Sequence, residues 1–363
     1  MLLDHYVLRD VPVTEWKKWD HFIDNHPAGH LLQSWGWGEL KASIGWYPFR
    51  FSLWDQHLGQ MVAAAQVLCR TIPTFPLWAG HLAYIPKGPV IDWSDPSLCQ
   101  AFFTRLNTQM RRQGALALRL EPNRLVNAVT SVTNIPSVTN IPTVTSSTVN
   151  KPLSLYPVSP VQPVRSIVLN LLPTEDVLLA GMKEKWRYNL RLAERKGVTV
   201  REALTVEDIQ AWYTLLQTTG NRDHFGIHTL DYYLKAWLIF APRHQARLFL
   251  AEYEGRLLAG IFVALLAKQA IYLYGASSNE HRNLMPNYLL QWEAIRWAKQ
   301  QGAVQYDFWG IPETDSEDEV MAGVHRFKRG WGGEQVRFVG CYEHTYRPLT
   351  MRVARKMLPA WLE

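Results

Sequence analysis

Pro286-Asn-Tyr-Leu-Leu-Gln-Trp-Glu-Ala-Ile-Arg-Trp-Ala-Lys-Gln-Gln-Gly302-Ala303 reads as a helix that opens on proline and stops at glycine. Proline at the first helical position sacrifices no hydrogen bond, because that N–H lacks an intrahelical partner, and glycine just past the end takes the left-handed turn that terminates a helix. The same punctuation occurs earlier in the chain, where Pro96 opens a helical stretch that ends in Gln113-Gly114-Ala115. The flanks match as well. Upstream, residues 49–54 and 61–68 read as strands joined through a turn containing Gly59, and 247–253 and 258–267 as strands joined through Glu254-Gly255. Downstream, apolar strands follow at 116–120, ending in Glu121-Pro122, and at 304–308, leading into Gly310-Ile311-Pro312. Helical segments at 14–25 and 35–43 precede the first hairpin, as 205–218 and 229–240 precede the second. The order strand, two helices, three strands, helix, strand thus occurs twice. It predicts an α/β (α+β) chain made by internal duplication.

The 363 residues exceed what one core usually absorbs, which agrees with two domains. We place the first over 1–165, completed by a C-terminal segment 341–363, and the second over 166–340. Residues 124–163 interrupt the pattern: they are Val, Thr, Ser, Asn and Pro with almost no charge, and Ser131-Val-Thr-Asn-Ile-Pro136 is repeated at once as Ser137-Val-Thr-Asn-Ile-Pro142. The prolines argue against a helix or a central strand, so an exposed, mobile loop without chemistry is expected.

Lys plus Arg exceed Asp plus Glu, 38 against 32, a mild bias towards polyanionic partners. The longest charge-free apolar run, residues 257–267, is short of the ~20 residues a membrane helix needs. Met1-Leu2-Leu3-Asp4-His5 lacks the basic and then apolar regions of a secretory signal, so a cytoplasmic location is expected. Cys69, Cys99 and Cys341 are far apart and form no ligand spacing, so no metal site is expected.

The succession of elements resembles the N-acetyltransferase (GNAT) fold, which implies two tandem GNAT-like domains. A CoA-dependent member of that fold binds pyrophosphate on bare backbone N–H groups at the start of its central helix. Here the second copy has Met285-Pro286 at that place and the first has Ile91-Asp-Trp-Ser-Asp-Pro96, whose carboxylates repel phosphate. There is no GxxxxGK[ST] loop for ATP. An acyl donor other than CoA is the economical reading.

Six stretches carry a narrower resemblance: Gln33-Ser-Trp-Gly-Trp-Gly-Glu-Leu-Lys41, Lys185-Trp-Arg-Tyr-Asn-Leu-Arg-Leu-Ala-Glu-Arg-Lys-Gly-Val198, Tyr274-Gly-Ala-Ser-Ser278, Tyr288-Leu-Leu-Gln-Trp-Glu-Ala-Ile295, Tyr306-Asp-Phe-Trp-Gly-Ile-Pro312 and Phe327-Lys-Arg-Gly-Trp-Gly-Gly-Glu334. In this order they resemble the FemA/FemB/FemX family of peptidoglycan bridge-forming, tRNA-dependent aminoacyl transferases. The single short basic helix at the entry to the second domain is similar to the compact, FemX-like branch. The resemblance implies transfer of an amino acid from aminoacyl-tRNA to the free amine of a stem peptide on a UDP-linked or lipid-linked muropeptide precursor. Aminoacyl-tRNA is then the co-substrate, no CoA, ATP or metal is needed, and a monomer is expected, with a lipid-linked acceptor offering a route to peripheral membrane contact. A lysine-like amine costs about 4.6 kcal/mol to deprotonate at neutral pH, and a cation or N–H must receive the developing oxyanion.

The same resemblance assigns roles residue by residue. Lys328 is placed at the reacting ester, with Glu121 and Asp307 as further catalytic candidates. Lys41 and Arg222 match the cations of the acceptor diphosphate, and Trp37, Tyr274, Tyr306 and Phe327 are candidate substrate contacts. Arg187, Arg191 and Arg195 recur at i, i+4 and i+8 on one helix face, which suits the phosphates of an RNA acceptor stem. Two other readings remain open: a CoA-dependent GNAT N-acyltransferase, and a non-catalytic RNA- or muropeptide-binding module on the same fold.

Overall fold

A computed structural model describes residues 4–72, 80–126, 153–317 and 321–357. The chain divides into two compact units, Met1–Val164 with Phe338–Glu363, and Arg165–Arg337. The divisions lie beside the expected 165/166 and 340/341.

The first unit opens with β1 (Tyr6–Asp10), α1 (Trp16–Asn25) and α2 (Trp35–Ala42). A long hairpin follows, β2 (Tyr47–Asp55) and β3 (Gln60–Thr71), then β4 (His81–Ile85) and the short β5 (Val90–Ile91). α3 (Pro96–Arg112) begins and ends where its proline and glycine predict: Asp95 caps its first turn by accepting from the Ser97 and Leu98 N–H groups, and Gly114 takes φ 76°. Its apolar face, Phe102, Leu106 and Met110 included, packs on Leu53, Ala65, Val67 and Leu118 of the sheet. β6 (Ala115–Leu120) and β7 (Tyr156–Val158) complete this part.

The second unit runs β8 (Arg165–Asn170), α4 (Glu175–Gly181), α5 (Glu184–Arg195), β9 (Thr199–Glu202), α6 (Val206–Asp223) and α7 (Leu230–Phe240). Next come β10 (Ala246–Tyr253), β11 (Arg256–Leu266), β12 (Gln269–Ser277), α8 (Pro286–Gln300), β13 (Gln305–Gly310), α9 (Ala322–Arg329) and β14 (Glu334–Arg337). Leu290, Ala294 and Ile295 of α8 pack with Ile261, Val263, Tyr306 and Phe308 in one core. The sheet order is β9-β10-β11-β12-β13-β8-β14.

The chain then returns to the first unit with β15 (Cys341–Thr345) and α10 (Pro348–Met357), giving β1-β2-β3-β4-β6-β15-β7 with β5 on β3. Strand for strand the series match. Each has one parallel pair, β4 with β6 and β12 with β13. Each flanks that pair with an antiparallel strand from outside the duplicated core, β15 on β6 and β8 on β13. No helix among the described residues is long and apolar enough to cross a membrane.

One sequence expectation is corrected. Residues 127–152, the bulk of the 124–163 insertion, lie outside the described residues, but its end is built into the sheet: β7 pairs with β15, Tyr156 opposite Glu343. Pro157 is tolerated there because β7 is an edge strand with one neighbour.

β15 is fastened by charge as well as by its ladder. Glu343, almost wholly buried, accepts from Arg119 Nε on β6 at 2.9 Å and from Thr345 Oγ1 at 2.8 Å, and also pairs with Arg355 of α10. Removing one member of a buried pair leaves an uncompensated charge, at a cost of about 3–5 kcal/mol. Glu343→Leu therefore destabilises the first unit on that scale in urea unfolding, and Arg119→Met with Glu343→Leu recovers most of the loss. A single-variant effect below about 1 kcal/mol contradicts this role.

Candidate active site

β12 and β13 pair through only three rungs, Gln269 with Gln305, Ala270 with Tyr306 and Ile271 with Asp307. Beyond them β12 continues to Ser277 and β13 to Gly310 with no further rung among the described residues. The second sheet therefore forks. β13 bulges between Asp307 and Gly310 where it pairs with β8, and Trp309 adopts φ 61°. Carbonyls released from a ladder need other donors when buried. Lys328 supplies them: its Nζ donates to Gly310 O at 2.7 Å and to Trp309 O at 3.3 Å, and lies 5.7 Å from the Tyr272 ring centre.

Local packing explains how a lysine is held there. Lys328 is on α9 and only 6% exposed, whereas Arg329 beside it is exposed. The glycines after it permit close approach: a Cβ on Gly330 would stand 2.0 Å from Trp186 Cε2, and one on Gly333 2.7 Å from Ile167 Cγ2. Trp186 in turn donates to Phe327 O at 3.0 Å. Phe327 packs edge-on to Tyr288 and Trp331, so this candidate substrate contact is at least half committed to the core. Burial lowers the Lys328 pKa to about 8, while Asp307 opposes that shift. Asp307 is itself wholly buried, held at Oδ1 by Ser166 Oγ and, at 2.7 Å, by the Trp309 N–H. Its place is to support the ammonium and the bulge.

Two candidates are engaged by their neighbours. Tyr306 is fully buried and receives a hydrogen bond from Gln291 at its hydroxyl, since alternation along β13 turns it into the core and not towards a ligand. Glu121 is buried with its oxygens taken: Tyr84 OH donates to Oε2, and the Val161 and Gln162 N–H groups donate to Oε1 at 2.7 and 3.0 Å. A carboxylate so engaged fastens the end of β6 to the 161–162 segment. Here the first unit differs from the second, because β4 and β6 pair from His81 to Ile85 and the ladder continues through Glu121 N to Ile85 O and Gly88 N to Glu121 O.

Lys41 and Trp37 stand on α2 over a buried amide lock. Gln33 donates to Pro86 O at 2.7 Å and accepts from Gln66 N at 2.8 Å, while Gln66 Nε2 donates to Ser34 O at 2.9 Å. Gly38 is required beneath it, as a Cβ would come within 2.2 Å of Gln66 Oε1. Lys41 Nζ lies 4.8 Å from the Trp37 ring centre, and burial lowers its pKa to about 8. Trp37 Nε1 is buried with no hydrogen-bond partner among the described residues. Nothing in the composition of the motif announced Gln33 and Gln66 as its fastening.

Arg222, near the end of α6, is engaged by its own neighbourhood: Asp223 accepts two bonds at 2.9 Å, and Asn279 Oδ1 and Ser277 O accept from Nη1. Tyr274 on β12 lies against Tyr233 and shares a 3.4 Å contact with the Tyr232 hydroxyl on α7. Beside this aromatic packing is a cleft of about 310 Å³ lined by Tyr213, Gln217, Asn221, Phe225 and His228, a feature no motif indicated. On α5, Arg191 and Arg195 are exposed, but Arg187 turns back to donate to the Leu179, Ala180 and Met182 carbonyls at the end of α4. Arg187 is thus engaged at the end of α4, whereas Arg191 and Arg195 face solvent.

The N-termini of the two central helices suit CoA poorly. Asp95 fills the first turn of α3 with its own carboxylate. α8 starts at Pro286, which has no N–H, behind Met285 at φ 56°. For metals, His5, Asp55 and His57 place one ligand atom each within 4.8 Å of one another, a trio that sequence spacing did not reveal. Asp55 Oδ1 there serves the turn, accepting from the His57 and Leu58 N–H groups.

Two sheets of the same strand order, each centred on one parallel pair, define a tandem GNAT-like protein. A tandem GNAT protein from the clavulanic acid biosynthesis pathway has the same fold, at 10% identity and a TM-score of 0.51 over 94% of this chain and 98% of that one. The crystal structure of FemX matches at a TM-score of 0.83 and 22% identity, over 95% of this chain and all 100% of the other. In sequence, the lipid II:glycine glycyltransferase of Staphylococcus saprophyticus is 23% identical, with 94% of each chain covered. The FemAB family pattern matches residues 14–256 and 241–357, and the chain belongs to the FemAB family.

Lys328 gives a pH signature independent of any substrate. Its pKa is about 8 in the folded chain against an ordinary 10.5, so between those values the unfolded chain binds more protons and stability rises with pH. Lys41 contributes a rise of the same sign, so the Lys328 share, up to about 3 kcal/mol, is read as the amount by which the wild-type stability profile climbs more steeply than that of Lys328→Met when urea unfolding is followed from pH 7 to 10.5. Parallel stability profiles for the two proteins contradict a buried ammonium.

Proposed function

We propose that this protein transfers an aminoacyl group from aminoacyl-tRNA to the free amine of a peptidoglycan stem peptide carried on a lipid-linked precursor. The observation that carries this reading is the Lys328 ammonium at the open end of the β12/β13 fork. Membership of the FemAB family and the lipid II:glycine glycyltransferase relatives support both the reaction class and the acceptor.

In this reading the amine nitrogen attacks the ester carbonyl, the C–N bond forms, and the ester C–O bond breaks. The ribose hydroxyl of the tRNA leaves with the proton shed by nitrogen. The ester is already activated, so ATP has no role. Lys328 has two donors committed to β13 carbonyls and a third for the oxyanion, and Asp307 helps it stay charged. Lys41, with the Trp37 N–H that has no partner among the described residues, receives an acceptor phosphate, and Arg222 of the second unit is able to take phosphate in exchange for Asp223. The exposed Arg191 and Arg195 are the RNA contacts of α5. A CoA donor is disfavoured by Asp95 and Pro286 at the helix starts where pyrophosphate would bind.

Charged tRNA mixed with lipid-linked precursor yields an acceptor heavier by one aminoacyl residue in mass spectrometry, and acetyl-CoA yields none. Lys328→Met slows single-turnover transfer about a hundredfold or more while substrate affinities hold, and Arg329→Met leaves it unchanged. Acetyl transfer from acetyl-CoA, or a wild-type rate in Lys328→Met, overturns the reading. Separately, Lys41→Met weakens acceptor binding without altering tRNA affinity; equal acceptor affinity removes Lys41 from the site.

A further inference from the structure

α10 is apolar on two sides, and among the described residues only one of them is packed. Met351 and Ala354 face inwards and pack with Ile72, Leu82, Leu116 and Ala117. On the outer side Leu349, Val353 and Met357 recur at i, i+4 and i+8 and are 81%, 48% and 61% exposed. At about 100° per residue these three fall within an arc of about 80°, and Arg352 and Lys356, both exposed, lie directly alongside. The helix contains no acidic residue, and Arg355 is held by Glu343 at its inner margin.

An aliphatic row bordered by cations on a solvent-facing helix has a specific physical match. Nucleic acid would reward the cations and leave Leu349, Val353 and Met357 in water. A lipid bilayer with anionic headgroups satisfies both, the aliphatic side chains entering the headgroup and acyl boundary while Arg352 and Lys356 meet phosphates. We infer that α10 docks the protein on an anionic membrane surface. With ten residues, the helix gives reversible attachment in the plane of the interface and not insertion across it. The value of docking to catalysis rests on the lipid-linked acceptor proposed above; the docking itself does not.

The test uses the full chain and vesicles that contain no precursor, so that it is blind to whether transfer occurs. Wild type co-sediments with phosphatidylcholine vesicles containing about a third phosphatidylglycerol and stays in solution with phosphatidylcholine alone. Arg352→Glu with Lys356→Glu, and separately Leu349→Ser with Val353→Ser, each lower the partition coefficient about tenfold or more, while Leu58→Ser in the β2–β3 turn leaves it unchanged. The substituted side chains point away from the core, so melting temperatures stay at the wild-type value. Wild type remaining in solution with anionic vesicles overturns the proposal. So does equal binding by all variants, or a loss in the serine variant confined to tRNA binding.

Discussion

The carbonyls of Trp309 and Gly310 set the terms for the second unit. Trp309 and Gly310, both half-buried, lie beyond the last rung of the β12/β13 pairing, and a carbonyl shielded from water without a donor costs up to about 1–3 kcal/mol. The solution is a lysine driven in from α9, and everything around it serves that insertion. Glycines at 330 and 333 let the segment press on Trp186 and Ile167, and Asp307 lies behind the ammonium. A structural need thereby delivers a cation with one spare donor to the one parallel pair of that sheet among the described residues, at the place where the strands open.

The duplicated first unit shows what happens when the same pair stays shut. β4 and β6 are paired along their length, and Glu121, at the end of β6, is tied by Tyr84 and by two N–H groups of the 161–162 segment. That unit offers instead Lys41 over the Trp37 ring, on a helix locked down by Gln33 and Gln66. The two units thus share a strand order and differ in whether the central parallel pair stays closed or opens around a buried lysine.

Local signals in the sequence were reliable. α3 and α8 span the residues between their opening prolines and the Gln-Gly stops, because helix ends are decided by the first and last turns. The C-terminal segment was legible as part of the first domain, but the pairing of β7, β8, β14 and β15 was not, since Tyr156 with Glu343 or Val168 with Glu334 joins chain segments far apart. The same limit explains the site. Lys328 in a Phe-Lys-Arg run looks like a surface cation until burial is seen, and Glu121 looks available until Val161 and Gln162 are seen to occupy it. The i, i+4, i+8 spacing of Arg187, Arg191 and Arg195 was correct, yet the end of α4, invisible in that spacing, captures the first of them. The family resemblance supplied the reaction class, which composition and periodicity could not.

The central claim is that the acyl group is handled at the β12/β13 fork by Lys328. The most direct measurement is a crystal structure with a non-hydrolysable aminoacyl-adenosine amide that mimics the charged end of tRNA. The account predicts the analogue in the second unit, with its carbonyl oxygen about 3 Å from Lys328 Nζ. An analogue bound in the first unit, or at the fork without contact to Lys328, would contradict it.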